Sequence, residues 1–237
     1  MGAIVIPDEP TVREQMTELF EGKSLEEARE LMFQYQRMMT YYQCAIMEVE
    51  TKFRVLNEEF SLQYDRNPIN GIHSRLKSNR SMVEKIHRKG LPFTISSIEE
   101  NITDIAGIRV ICSFVGDVYL LEEALLKQDD IELVRRKDYI ANPKPNGYRS
   151  LHLIVTVPIF LSQEKRLMKV EVQLRTIAMD SWAAIEHQLR YKKDYEISQD
   201  ELDELRMCAD ISHDLDQRMD LLRQTILVGQ KKSKKKR

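Results

Sequence analysis

A chain of 237 residues, 42% hydrophobic and 31% charged, can bury one substantial core with room for a helical appendage. No apolar run approaches the roughly 20 residues that cross a bilayer, MGAIVIPDEP is too short and too acidic for a secretory signal, and Ile6 replaces the Ser or Thr of a myristoylation site. A cytoplasmic protein without membrane contact is therefore expected, and its net charge of -2 conceals a segregation: residues 1–64 carry six basic and twelve acidic groups, 65–195 carry 21 and 17, and 196–237 carry nine of each.

Taken in chain order, a short helix is expected up to Phe20, and Ser24 caps a long one with Glu26 and Glu27 in its first turn. Leu25, Ala28, Met32, Tyr35, Met39, Tyr42, Ile46, Val49, Phe53, Leu56 and Phe60 follow at steps of three and four. That stripe predicts a helix packed lengthwise on other helices, in its own chain or a neighbouring subunit. HSRLKS reads as a short strand, and 79–89 as a helix stopped by Gly90 and Pro92. Ser96 and Ser97 are the candidate caps of a helix around IEENI. The nearly continuous apolar run 105–114 predicts a central strand, in which Arg109 is buried and needs a partner or ligand. A covering helix over 117–127 and a strand over 131–140 come next.

The turn ANPKPNGY has the Pro, Asn and Gly chemistry of an ordered loop and brings Lys144, Asn146 and Tyr148 together. After it, alternation buries Leu151 and Leu153 and turns His152 to the other face. In the next strand Lys169, Glu171, Gln173 and Arg175 alternate with Val170, Val172 and Leu174. A helix over 177–190 places Trp182, Ile185 and Leu189 on one face, and a last one over 199–228 carries an apolar stripe from Leu202 to Ile226. The fold class is α+β: a mixed sheet of about five strands surrounded by helices, with long N- and C-terminal helices. As one domain it divides into an N-terminal helical region (1–64), a catalytic core (65–195), a C-terminal helix (196–228) and a basic tail (229–237) expected to be disordered, with KKSKKKR open to a weak nucleic-acid contact. Cys44, Cys112 and Cys208, odd in number and in apolar surroundings, predict reduced core thiols rather than a disulfide or zinc site.

Neither GxxxxGK nor GxGxxG occurs, so any phosphate must be held by side chains. In RLKSNRSMVEK, Arg75 and Lys77 lie two apart on a strand and Ser81 and Lys85 four apart on one helical face, with a helix start near Ser81 to add N–H groups. An ordinary surface helix with solvated lysines explains the same pattern. Asp104 and Glu171 are isolated carboxylates among cations, which suits Mg2+ bound to a nucleotide. They serve equally as salt-bridge partners of Arg109 and Arg175.

RLKSNRSMVEK, DIAGIRV, KDYIANPKPNGYRSLH, EVQLRT and WAAIEHQLRYK, in that order over roughly residues 40–225, resemble the synthetase domain of the RelA/SpoT family. Without the family's hydrolase and regulatory parts, the chain resembles its stand-alone small alarmone synthetases, closer to the RelP than the RelQ type. The resemblance implies a nucleotidyltransferase-like synthetase fold and a GTP pyrophosphokinase of stringent-response signalling with no hydrolase activity. It would move pyrophosphate from ATP to the 3′-OH of GTP or GDP, giving (p)ppGpp and AMP. It also implies that Arg75 and Arg109 sandwich adenine, that Lys77, Ser81 and Lys85 contact the ATP phosphates, and that Asp104 and Glu171 hold Mg2+. Glu171 would also orient or deprotonate the attacking hydroxyl, Tyr148 would stack on guanine, and Lys137, Lys144, Asn146, His152 and Gln173 would line the acceptor site. A homo-oligomer, by resemblance a tetramer, is expected. RelQ-like activation by product is not expected, because Gly71 and Asp180 stand where that type has an aromatic residue and an Asn, and Asp180 would repel a phosphate. The rivals are a nucleotidyltransferase that moves a nucleotide, against which the lack of a close acidic pair argues, and a non-catalytic RNA-binding protein, which gives no reason for Glu171 among cations.

Overall fold

The computed structural model describes residues 24–64, 66–191 and 197–234. The helix expected up to Phe20 and the last three residues of the basic tail lie outside the described residues. The elements are α1 (Leu25–Tyr64), β1 (Ile69–Leu76), α2 (Asn79–Lys89), α3 (Ile95–Asn101), β2 (Ala106–Cys112), α4 (Val115–Leu126), β3 (Glu132–Asp138), β4 (Leu151–Phe160), β5 (Lys165–Thr176), α5 (Ile177–Tyr191) and α6 (Gln199–Lys234).

The five strands form one mixed sheet in the order β1-β2-β5-β4-β3. Only β2 and β5 run parallel; the other neighbours are antiparallel. The α+β expectation holds, with one correction: the middle strand is β5, and the apolar run of β2 lies one place from the edge. β2 alternates buried and half-buried positions, so Arg109 faces the open side with its side chain 38% exposed. Gly107 and Ile111 hide this alternation in the sequence, because they put apolar residues on the open face as well.

α1 begins with a capping box: the Glu27 amide donates to Ser24 Oγ at 3.2 Å and the Ser24 amide to the Glu27 carboxylate at 2.7 Å. Met38, Tyr42, Ile46, Val49, Phe53, Leu56 and Phe60 are buried, but the helix lies mainly across β1, β2, β4 and β5 rather than along other helices. A stripe at steps of three and four is equally the footprint of a helix on a sheet, which periodicity does not distinguish. Its first turns escape the core, and Leu25 is exposed.

Local punctuation follows the sequence closely. Gly90 ends α2 with φ 61° and gives its N–H to the carbonyls of Ile86 and His87. α3 starts earlier than expected, because Thr94, not Ser96 or Ser97, takes the Ser97 amide. α6 continues past Val228 to Lys234, so much of the segment expected to be disordered is helical. One glycine costs a helix about 1 kcal/mol, and the Gln and Lys residues beyond Gly229 favour helix. Cys44 is half-buried, Cys112 buried and Cys208 exposed; all are free, but Cys208 is no core thiol.

Candidate functional site

The sheet register builds the site. His73 pairs with Arg109, Arg109 with Gln173, Gln173 with His152 and His152 with Lys137. Directly opposite residues share a face, so one row of polar side chains crosses all five strands on the side away from α1. The adjacent row brings Arg75, Gly107 and Glu171 together. A cleft of about 390 Å³ opens above them, lined by His73, Arg75, Gly107, Arg109, Glu171, Gln173 and Arg175 among others. His73 and Arg175 were not among the expected ligands. The period-2 spacing of His73 with Arg75, and of Gln173 with Arg175, was the signal that could have found them.

At one end, Asp104 sits at the loop entering β2, beside α2. Lys77 Nζ is 3.1 Å from its Oδ2 and Lys85 Nζ 2.7 Å from its Oδ1. Burial pushes the Asp104 carboxyl up, but the ammonium groups of Lys85 and Lys77 outweigh it and hold it below the ordinary aspartate value. Ser81 starts no free anion nest: its amide donates to Ser78 Oγ at 3.3 Å, because the helix begins at Asn79 rather than at Ser81.

Glu171 lies mid-strand, with Gln173 Nε2 donating to its Oε2 at 2.9 Å and His152 Nδ1 3.7 Å from its Oε1. Burial would raise this carboxyl, Asp104 adds to that, and His152 with the Gln173 amide reverses the sum, leaving it below the ordinary glutamate value. Arg109 and Arg175 do not pair with these acids. Their Nη1 atoms stand 3.3 and 3.1 Å from one oxygen of Asp180. Desolvation and the Arg175 charge lower Arg109, and Asp180 opposes them.

At the other end, the 141–150 loop is locked by its own backbone. The Gly147 amide donates to the Lys144 carbonyl at 2.8 Å, and Asn146 Oδ1 accepts from the Tyr148 amide at 3.2 Å. Gly147 has φ 88°, which an L side chain rarely adopts. Lys144 Nζ hangs 4.6 Å from the centroid of the Tyr148 ring, and Tyr148 OH shares a 2.8 Å hydrogen bond with His152 Nε2. Tyr148 also packs on a second small core of Trp182, Ala183 and Ala209, and the Asn146 amide donates to Glu186 at 3.2 Å. Thus Lys144, Tyr148, His152, Lys137 and Gln173 gather at one side of the face, with Asn146 turned from them toward α5 and α6, and Lys77, Ser81, Lys85 and Asp104 lie at the other. Arg75, Arg109 and Glu171 lie between. Such a surface can bind two anionic, partly aromatic molecules side by side with a carboxylate between them.

Known proteins share this fold. Residues 74–196 match the family described as a region found in RelA/SpoT proteins. The chain is 41% identical over 195 residues to the GTP pyrophosphokinase YwaC of Bacillus subtilis, covering 82% of this chain and 93% of that one. Among solved structures, small alarmone synthetase 2 from Bacillus subtilis is 40% identical with TM-score 0.74, over 81% of this chain and 98% of that one. Small alarmone synthetase 1 from the same organism, bound to its product pppGpp, is 34% identical with TM-score 0.74 over the same shares. The chain belongs to the RelA/SpoT family.

Proposed function

We propose that this protein is a (p)ppGpp synthetase, a GTP pyrophosphokinase acting in stringent-response signalling in the cytoplasm. The 3′-oxygen of GTP or GDP attacks the β-phosphorus of ATP, the bond from that phosphorus to the α,β-bridging oxygen breaks, the bridging oxygen leaves with AMP, and the β,γ-pyrophosphate stays on the 3′-oxygen. The observation that carries this reading is the position of Glu171, ionised and mid-face, between a lysine-rich end and a tyrosine-centred end of one open sheet surface.

Two polyanions repel, and a cleft that neutralises both holds them at reacting distance, so positioning and charge supply most of the rate. On the donor side Arg75 and Arg109 stack on adenine, each contact worth about 0.5 to 2 kcal/mol, while Lys77, Ser81 and Lys85 bind the phosphates. On the acceptor side Tyr148 stacks on guanine, with Lys137, Lys144, Asn146, His152 and Gln173 around it. Glu171 accepts the proton of the 3′-OH; its low affinity for protons keeps it ready at neutral pH.

Asp104 and Glu171 also fit Mg2+ carried in by a nucleotide. Both are held ionised, and the charge of Asp104 acts against that of Glu171, a repulsion that a cation between them relieves. Among the described residues no three His, Cys, Asp or Glu side chains form a metal cage. Mg2+ shared with phosphates needs only one or two protein oxygens. When bound, the ion supplies neutralisation of the transferred phosphates.

The test is to incubate the protein with γ-labelled ATP, Mg2+ and GTP or GDP. Label in a guanosine product together with AMP is the expected result, and Glu171→Gln should slow its appearance by about 100-fold or more with an unchanged circular dichroism spectrum. A folded protein that yields neither AMP nor labelled product overturns the reading. Two finer points rest on sequence chemistry: the chain forms a homo-oligomer, a tetramer by resemblance, and its lysine-rich end makes a weak RNA contact, which truncation before Lys231 should remove.

A further inference from the structure

Asp180 is the acidic residue in the first turn of α5, where the helix dipole favours a carboxylate. Its Oδ1 lies between two strands: 3.3 Å from Arg109 Nη1 on β2 and 3.1 Å from Arg175 Nη1 on β5. Arg109 belongs to the donor side of the cleft. Arg175, buried at 6% side-chain exposure, stacks on the acceptor tyrosine, its Cζ 5.1 Å from the Tyr148 centroid. Its Nη2 donates to the Tyr148 hydroxyl and to Gln173 Oε1, and Gln173 donates to Glu171. One carboxylate oxygen therefore joins the arginine of one nucleotide site to the arginine that orients the other.

We propose that Asp180 is a positioning residue that couples the two nucleotide sites, so that filling one tightens the other. This rests on the synthetase reading above. Two guanidinium groups this close repel in a partly desolvated site, and the shared carboxylate keeps both directed at the cleft. Adenine stacked on Arg109 immobilises that side chain, and with it the Asp180 oxygen and Arg175 beneath Tyr148. Guanine then meets a ring whose ordering cost has already been met. The effect is reciprocal by thermodynamic necessity.

The experiment is calorimetric titration of the full chain with GTP, with and without saturating AMPCPP, an ATP analogue whose α,β-methylene bridge does not cleave, and the converse titration. In the unaltered protein each nucleotide should tighten the other by about 5-fold or more. In Asp180→Asn, folded by circular dichroism, both should still bind, with the mutual factor reduced to within about twofold of one. Asp180→Glu should recover part of it. A carboxylate that only braces the fold would weaken binding or stability and leave the mutual factor untouched. Full coupling in Asp180→Asn, or none in the unaltered protein, overturns the proposal. Binding of neither nucleotide to the unaltered protein would instead sink the synthetase reading, and this inference with it.

Discussion

Glu171 and Asp104 are acids whose folded affinities for protons are depressed, in both cases because neighbours outweigh the opposing effect of burial. The sign for stability follows from linkage. Their contribution is fully present above the unfolded values of about 4.3 and 3.9, and is lost as pH falls through the lower folded values. Urea midpoints should therefore carry the full contribution of these groups, with no pH dependence from them, between about pH 6 and 8 and should fall on acidification below about pH 4. Glu171→Gln and Asp104→Asn should each flatten that acid limb; an unchanged limb in both would contradict the electrostatic account. In turnover, losing a general base costs about 100-fold or more in kcat, which single-turnover assays of Glu171→Gln would read. Gly147 offers a second residue-scale test. A Cβ there would stand 2.5 Å from the Ala209 Cβ, on a backbone at φ +88°. Gly147→Ala should raise KM for GTP several-fold and spare KM for ATP, with Ala209→Gly in the same chain restoring part of the loss by removing the steric half of the problem. Equal effects on both KM values would show that the loop is not specific to the acceptor.

That contact belongs to a larger device, the docking of α6. Trp182 Nε1 donates to the Leu205 carbonyl at 2.9 Å, Arg149 donates to the Ala209 carbonyl at 3.2 Å and pairs with Asp210 at 3.1 Å, and Thr176 Oγ1 donates to Asp216 at 2.6 Å. Farther along, Arg223 reaches Asp117 of α4 at 3.3 Å, and Arg66 holds the same carboxylate. Both guanidinium groups also lie over the Phe114 ring. Asp117 is 1% exposed, so Asp117→Asn removes a buried charge that two guanidinium groups share and should cost about 3 kcal/mol in urea unfolding. Truncating the exposed Arg54, paired with Glu50 one turn away, should cost about 0.5 kcal/mol or less. Similar losses for the two would refute the claim that burial, not pair count, sets the value of these contacts.

At the scale of the whole molecule, α6 is anchored by polar contacts but leaves Ile211, Leu215, Leu222 and Ile226 exposed at helical spacing. α5 adds exposed Ile185 and Leu189, which the sequence had placed with Trp182 on one face. Patches of this kind mark interaction surfaces, and the homo-oligomer proposed above would bury this one. Light scattering on the unaltered protein should give a multiple of the chain mass, and Leu215→Glu with Leu222→Glu should lower it with helix content preserved. A monomeric mass for the unaltered protein would refute the homo-oligomer. No helix among the described residues is long and apolar enough to cross a membrane.

The sequence by itself determined most elements, because period and punctuation are local: the Ser24 cap, the run 79–89 with Gly90 behind it, and the alternation in β4 and β5 all survive folding. It also offered part of the candidate site, since the polar positions of β4 and β5 and the 141–150 loop are contiguous in the chain, but it missed His73 and Arg175, which line the same cleft. Register and partnership were left to the tertiary structure. Which strand sits in the middle, that Arg109 faces the open side, that His73 joins its row, and that α1 crosses a sheet all depend on contacts between residues far apart in the chain. The acids and bases make the point most clearly. Sequence offered Asp104 and Glu171 to Arg109 and Arg175, whereas folding gave Asp104 to Lys77 and Lys85, Glu171 to His152 and Gln173, and both arginines to Asp180. Charge pairing is decided by distances of a few ångströms, and only the packing of helices against the sheet fixes those.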